Sequence, residues 1–487
     1  MKRIHIIHQI LVVAGMALCS VSDGFIFGQM SGMIDDLHSK NSTIKLNDDD
    51  ISWIASTINI TCFCGFVVMG VLTEIFGRRK SITIVSMPIL ICWLMVYFAK
   101  DKATLLATRV IVGLCYGAIL VLTYINIGEY VSPNMRSFCL NMMSCVGSTF
   151  GTMLGHVLSL FLHWRNVALV GLIPTAISAF LPLFWVESPS WLATQKRFDE
   201  CEKAFKALHE YNEEADKELK TLIETQKMDQ EINKEKSILK TFRVLMKKYI
   251  EACKQKYYWK IVILMFSVCL YRVAAGRILL STLAITIIQD ITGTSDILGY
   301  TLLVDGFALF GSAMSCFLVS KFNMRSLLFT SGLISNIFQV MFAISLYVWP
   351  QNSNSVPWIK ITLLALYYVT VTAGPYSVLE TLLTELHPLE IKTVNCLLLG
   401  AIFSVVQFLS IQFATRMFTT IGYHGVFFLN SGIVFVCLLY LYFNLPETKG
   451  KTLQEIEYYF KNNSFPRELP ASDYETEKLN KISENIN

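Results

Sequence analysis

GVLTEIFGRRK, residues 70–80, decides how the rest of the chain is read. It closes one apolar run at 52–73 and opens onto another at 82–99. Arg78, Arg79 and Lys80 stand in a row between them. A charge at a helix centre costs about 2.5–3.5 kcal/mol on insertion scales, so three in a row do not belong in hydrocarbon. Each flanking run suffices for one helical crossing of a bilayer core about 30 Å thick. The stretch therefore reads as a tight connection at a membrane surface between two crossings.

Working outward, ten further apolar runs appear: 6–30, 105–127, 138–162, 167–186, 259–289, 297–319, 326–348, 358–383, 394–418 and 425–445. The chain is expected to be an all-α polytopic membrane protein with twelve transmembrane helices. Composition agrees: 53% of the 487 residues are hydrophobic and 16% charged, against about 25% charge in a soluble domain. Gly 26 and Pro 12 rule out a collagen-like chain, and a net charge of +4 leaves no footprint for nucleic acid. The first run lacks a small-x-small cleavage site and continues past residue 25, so it reads as a retained helix rather than a signal peptide. Nearly all of the thirteen cysteines fall in apolar runs, which argues against a disulfide framework. Cys62 and Cys64 have no neighbouring His or Cys to complete a metal set.

The two halves repeat. Arg79, Glu129 and Glu187 of the first half have counterparts Arg325, Glu385 and Glu447, displaced by 246, 256 and 260 residues. Glu129 and Arg136 are seven apart with Pro133 between them; Glu385 and Lys392 are seven apart around Pro388. A polar insert with 15 Lys+Arg and 14 Asp+Glu separates the copies. The expected organisation is a six-helix bundle at 1–186, a linker with short helices at 187–257, a second six-helix bundle at 258–445 and a tail at 446–487. Lys and Arg gather at the termini, the insert and the loops around Arg78, Arg136, Lys321 and Lys392, which places both termini and the insert in the cytoplasm. Asn41 of Asn41-Ser42-Thr43 then lies outside as a glycosylation sequon. Acid–base pairs at helix ends can form and break as two repeats rock about a mid-membrane site. Glu74, Arg78, Arg79, Glu129, Arg136, Glu187, Arg325, Glu385, Lys392 and Glu447 are the expected latch.

These residues also carry a family resemblance. Gly70-x3-Glu74-x2-Gly77-Arg78-Arg79-Lys80 resembles the loop 2–3 signature of the major facilitator superfamily. Arg109-x3-Gly113-x3-Gly117, Gly128-Glu129, Glu187-Ser188-Pro189-Ser190-Trp191-Leu192, Gly374-Pro375 and Pro446-Glu447-Thr448 resemble its sugar porter branch, closest in style to insect facilitated trehalose transporter-like proteins. The resemblance runs over almost the whole chain. It implies alternating-access, facilitative movement of a trehalose- or hexose-class sugar across the plasma membrane, with no cofactor, no enzyme activity and a monomer as the working unit. A transporter for a different small solute and a non-transporting receptor or sensor on the same fold remain open.

They remain open because the family's sugar contacts are altered. Where the branch has Gln-Gln-x-Ser-Gly-Ile-Asn in span 7, this chain reads Arg272-Val273-Ala274-Ala275-Gly276-Arg277-Ile278. The span 5 glutamine falls near Ser144 or Cys145 and is absent, as is the span 10 tryptophan after Gly374-Pro375. Amides both donate and accept hydrogen bonds, whereas Arg only donates. The expected substrate-binding residues are Arg272, Gly276, Asn141, Asn336, Tyr376, Glu380 and Asn395, with His156, Gln339, Tyr367 and Gln407 as further polar candidates. For each of these alone, a helix–helix hydrogen bond is the competing reading. Glu380 is an acid in an apolar span, and in this fold Arg272 is its natural opposite charge. A paired Arg272 would suit a neutral solute, a free one an anion, and a third option has it reaching water. Asp23 in span 1 could couple protons, pair structurally or touch the solute.

Overall fold

The computed structural model describes residues 2–39, 42–131, 136–208, 216, 219–220, 222–224, 247, 249–349, 357–386, 392–451, 453–462 and 464. The side chains of Arg136, Glu385 and Lys392, and the whole of Asn41, lie outside the described residues. The described elements are helices, with no strand among the described residues. This is what hydrocarbon demands of a chain that must satisfy every backbone polar group internally.

Among the described residues, eleven helices are long and apolar enough to cross a membrane. The longest, Asp48–Phe98, has 51 residues, about 76 Å at 1.5 Å per residue, roughly twice the hydrocarbon thickness and more. It holds two passes, so the count is twelve. The expected loop between spans 2 and 3 is condensed into one residue: Gly77 takes φ 84° and ψ 177° while its neighbours stay helical. A Cβ there would be strained by that φ and would meet Glu187 at 2.6 Å.

Span 1 is Lys2–His38, span 4 Lys102–Tyr130, and span 5 runs from Arg136 through a π-helical turn at Met142–Gly147 into Ser148–Phe161. Span 6 is Trp164–Phe180 and ends in the 3-10 turn Leu181–Phe184. Span 7 is broken into Lys256–Ala274 and Arg277–Thr292, with Gly276 between them in the left-handed region. Spans 8 and 9 are Leu298–Lys321 and Met324–Val348; span 10 is Pro357–Ala373 continued by Pro375–Glu385. Spans 11 and 12 are Lys392–Gln412 and Gly422–Asn444, with short Ala414–Thr420 between. Helices Pro189–Thr194, Phe198–Leu208 and Leu453–Asn462 lie beyond the spans.

Spans 2 and 4 and spans 1 and 5 meet backbone to backbone. A Cβ on Gly117 would fall 2.0 Å from the Cys62 carbonyl, and one on Gly151 2.0 Å from that of Val21. Small residues permit this contact, the main source of helix association where lipid removes the hydrophobic drive. Outward, Val71, Ile91, Phe161, Phe310, Phe317 and Phe443 stand exposed as a lipid-facing belt.

Spans alternate in direction, so the start of span 1, the helices after span 6 and the helix after span 12 share one face. Gln9 on span 1 donates to the Leu208 carbonyl of the insert at 2.8 Å there. On the opposite face the halves are tied by Arg416–Asp49 at 2.7 Å and Ser56–Gln412 at 2.6 Å.

Candidate functional site

A column of polar side chains fills mid-depth between the halves. Nearest the insert face, Arg272 Nη2 of span 7 donates to Glu380 Oε1 of span 10 at 2.9 Å and to the Tyr376 hydroxyl at 3.1 Å. Arg272 and Glu380 thus pair, as expected of opposite charges on spans 7 and 10. From the other half, the Tyr124 hydroxyl of span 4 donates to Glu380 Oε2 at 3.2 Å. The Arg272 guanidinium also lies over the rings of Phe403, at 5.0 Å, and Tyr376, at 5.1 Å. Cation–π contacts of this kind are worth about 0.5–2 kcal/mol. The Arg272 Nε is buried without a hydrogen-bond partner.

At the centre, Arg277 lies on the Tyr376 ring at 4.5 Å, so one aromatic ring serves two guanidiniums. Arg277 Nη2 donates across the halves to the Cys145 carbonyl at 3.2 Å and to Thr149 Oγ1 at 2.8 Å. Cys145 belongs to the π-helical turn, a distortion that leaves carbonyls outside the regular ladder. Towards the opposite face, His156 of span 5 meets Asp305 of span 8 at 2.8 Å and the Ser281 carbonyl of span 7 at 2.9 Å. A cavity of about 30 Å³ lies among Thr149, His156, Arg277, Asp305 and Tyr368. It has room for water, whereas pockets for small ligands span roughly 300–1,000 Å³. The site is closed around itself in this conformation.

Other expected residues sit elsewhere. Gly276 forms the break in span 7, where the Tyr367 and Tyr368 hydroxyls donate to the Ala275 and Gly276 carbonyls at 2.8 and 3.4 Å. Asn336 and Gln339 lie on span 9, which packs on spans 10 and 12 of its own half, and their carbonyl oxygens are buried without partners. Asn395 accepts from the Tyr258 hydroxyl at 3.1 Å near the insert face, and Gln407 donates to Ser410 at 3.3 Å. Asn141 is fully buried, with its Oδ1 3.9 Å from Cys145 Sγ. Asp23 is buried with Oδ1 unpartnered. Tyr124 and Asp305 were not singled out from the sequence. An acid in the apolar run 297–319 was a readable signal for Asp305; a tyrosine in an apolar span carries none.

The helix-end charges assemble within each half. Arg78 makes a forked contact with Glu129, 2.8 Å at its closest, and Glu74 stands 3.7 Å from Arg78. Glu187 Oε1 accepts the Arg78 and Arg79 amides at 3.0 and 3.2 Å, and Arg79 Nη1 donates to the Trp185 carbonyl at 2.8 Å. The second half repeats this. Glu447 accepts the Met324 and Arg325 amides, each at 3.1 Å, and Arg325 Nη2 donates to the Tyr442 carbonyl at 2.7 Å. Each carboxylate caps a helix start, where free amides and the helix dipole favour negative charge.

The profile of the Sugar (and other) transporter family matches residues 9–460. Facilitated trehalose transporter Tret1 of Bombyx mori is 24% identical over 455 residues, covering 92% of this chain and 86% of that one. Tret1 of Apis mellifera ligustica is 22% identical, covering 92% and 87%. Among solved structures, the proton:xylose symporter XylE bound to 6-bromo-6-deoxy-D-glucose superposes with a TM-score of 0.72 at 17% identity, covering 93% of this chain and 99% of that one. The inward open conformation of XylE from E. coli gives 0.70 at 16% identity, covering 92% and 99%. Twelve spans in two matching sets, a polar column between them and a family match over nearly the full length lead to one conclusion: the chain belongs to the sugar (and other) transporter family and has the major facilitator fold.

Proposed function

We propose that the polar column binds a neutral sugar of the trehalose or hexose class and passes it by facilitative alternating access. The observation that carries this reading is the Arg272–Glu380 pair, which neutralises the charge standing where sugar porters have an amide. Arg277, the second guanidinium of the column, lies on the Tyr376 ring and donates to the Cys145 carbonyl and Thr149 Oγ1. Hydroxyls of Tyr124, Tyr376, Thr149 and Ser281 surround these charges and can both donate to and accept from a sugar. The Arg272 Nε supplies a donor not yet used. Opening of the column towards one face would have to enlarge the cavity before a sugar could enter.

In this reading the units 1–186 and 258–445 rock against each other, joined by 187–257 and followed by 446–487. The protein works at the plasma membrane with both termini in the cytoplasm and Asn41 outside. The helix-end charges, Arg136, Glu385 and Lys392 included, stiffen each bundle and latch the cytoplasmic side.

The test is uptake of labelled trehalose, glucose and small organic acids by oocytes expressing the chain. Saturable sugar uptake, lost in Arg272→Gln at equal surface abundance, supports the reading. Saturable acid uptake without sugar uptake refutes it and assigns the site to the guanidinium of Arg277.

A further inference from the structure

His156 places both ring nitrogens against acceptors on the other half. Nε2 faces the Ser281 carbonyl at 2.9 Å and Nδ1 faces Asp305 Oδ2 at 2.8 Å. A carbonyl only accepts, so Nε2 must carry a hydrogen. A bare Nδ1 and an ionised carboxylate would then meet lone pair to lone pair at hydrogen-bond distance. One proton has to lie between them, either on the ring or on the acid. We propose that His156 and Asp305 form a single-proton binding site shared by the two halves, whose occupancy holds the solute cavity shut on the face opposite the insert.

The surroundings are built for it. In a regular helix the Ser281 carbonyl would accept from the Ile285 amide. Here Leu283 is non-helical, with φ −122° and ψ 15°, and the Ile285 amide donates instead to Ser31 Oγ of span 1 at 3.0 Å. The carbonyl is thereby released to His156. The ring is 1% exposed and the Asp305 side chain 14%, so the acid is the water-facing end of the pair. Arg277 of span 7 and Tyr368 of span 10 share its cavity. Span 1 packs on His156 through Gly28, with Asp23 and Asp35 its nearest acids along the helix, and span 6 has Arg165, at its end on that same face and bonded to the Tyr97 and Ala99 carbonyls, as its one charged residue.

When the halves part on that face, both groups enter water and the hydrogen bond between them is replaced by bonds to solvent. Near neutral pH the ring is then largely uncharged, the acid is ionised and the proton leaves. Closing that face takes the proton up again. The sign follows from linkage: the closed form binds one more proton, so acid favours it and rising pH favours opening, with a ratio changing by up to about tenfold per pH unit.

The experiment follows the conformation of the full chain in lipid nanodiscs and needs no identified solute, so its failure is separate from that of the sugar reading. Spin labels on non-canonical residues at positions 100 and 295 report the distance across the opposite face from pH 5 to 8.5. In the wild type the closed population should fall as pH rises. In Asp305→Asn, whose amide can donate to a neutral ring without a titrating proton, the face should stay closed at every pH. In the doubly substituted His156→Gln, Asp305→Asn protein the populations should not vary with pH. A wild-type population that is constant over this range, or an unchanged pH slope in Asp305→Asn, overturns the proposal.

Discussion

Replacing Arg272 by glutamine would strand Glu380. The two side chains are 10% and 6% exposed, so their pairing takes place largely without water. Removing one partner of such a pair costs about 3–5 kcal/mol, because the other charge is left buried alone. The Tyr124 hydroxyl, 3.2 Å from Oε2, stays in place and recovers about 1 kcal/mol of this. The Phe403 and Tyr376 ring contacts of the guanidinium are lost as well, adding back about the same amount. The expected loss for Arg272→Gln is therefore about 3–5 kcal/mol. Adding Glu380→Gln removes the buried charge and should leave a deficit of about 1 kcal/mol. Unfolding by SDS in mixed micelles, on wild type, both single variants and the double variant, measures the cycle. If the two single losses add, or if Arg272→Gln costs less than about 1 kcal/mol, the pair does not neutralise the site and the argument for a neutral solute fails.

Three further outcomes are expected. A double-mutant cycle on Arg78→Gln and Glu129→Gln should give a coupling energy of about 1–3 kcal/mol in the same unfolding assay, since the fork joins spans 3 and 4 within one bundle. Glu187→Ala and Glu447→Ala should each cost about 1–2 kcal/mol through loss of a helix cap, and their effects should add because they lie in different halves. An epitope placed in the 187–257 insert should bind antibody only after the cells are permeabilised, while one beside Ser42 should bind on intact cells; labelling of the insert from outside would reverse the orientation.

Much of the fold was readable because hydrocarbon imposes one rule on every span: an apolar run long enough to cross. The connection at 74–81 was harder. Its polarity announces a surface turn, but only the φ of Gly77 shows that one residue makes the turn and both helices run up to it. Arg272 and Glu380 were legible as partners since Glu380 is an acid in an apolar span, Arg272 is an opposite charge, and the two spans line one cavity. The helix-end constellation was legible as a set of residues. Its wiring was not, because spacing along the chain cannot say whether Glu187 reaches its own bundle or the other, and it caps the start of span 3 in its own. His156 and Asp305 lie 149 positions apart, and nothing local marks them as neighbours. Asn336 and Asn395 share the chemistry of a sugar ligand, but the rotation of their helices sends them to neighbours in their own half.

Span 7 behaves mechanically as a door on a pin. Arg277–Thr292 is a 16-residue leaf, kinked at Leu283, joined to the rest of the span through Gly276. The two tyrosine hydroxyls from span 10 hold the carbonyls at the joint, so turning there need not strip the backbone of its partners. A helix of this length measures about 24 Å, and a swing of about 10° about its pin would carry its free edge about 4 Å. Its fastenings include the Ser281 carbonyl on His156, the Ile285 amide on Ser31 and the Gln289 amide on Asp35, with Arg277 on Cys145 and Thr149 and the Tyr423 hydroxyl on Asp290. Releasing these frees a single leaf, at far less cost than prising two whole bundles apart.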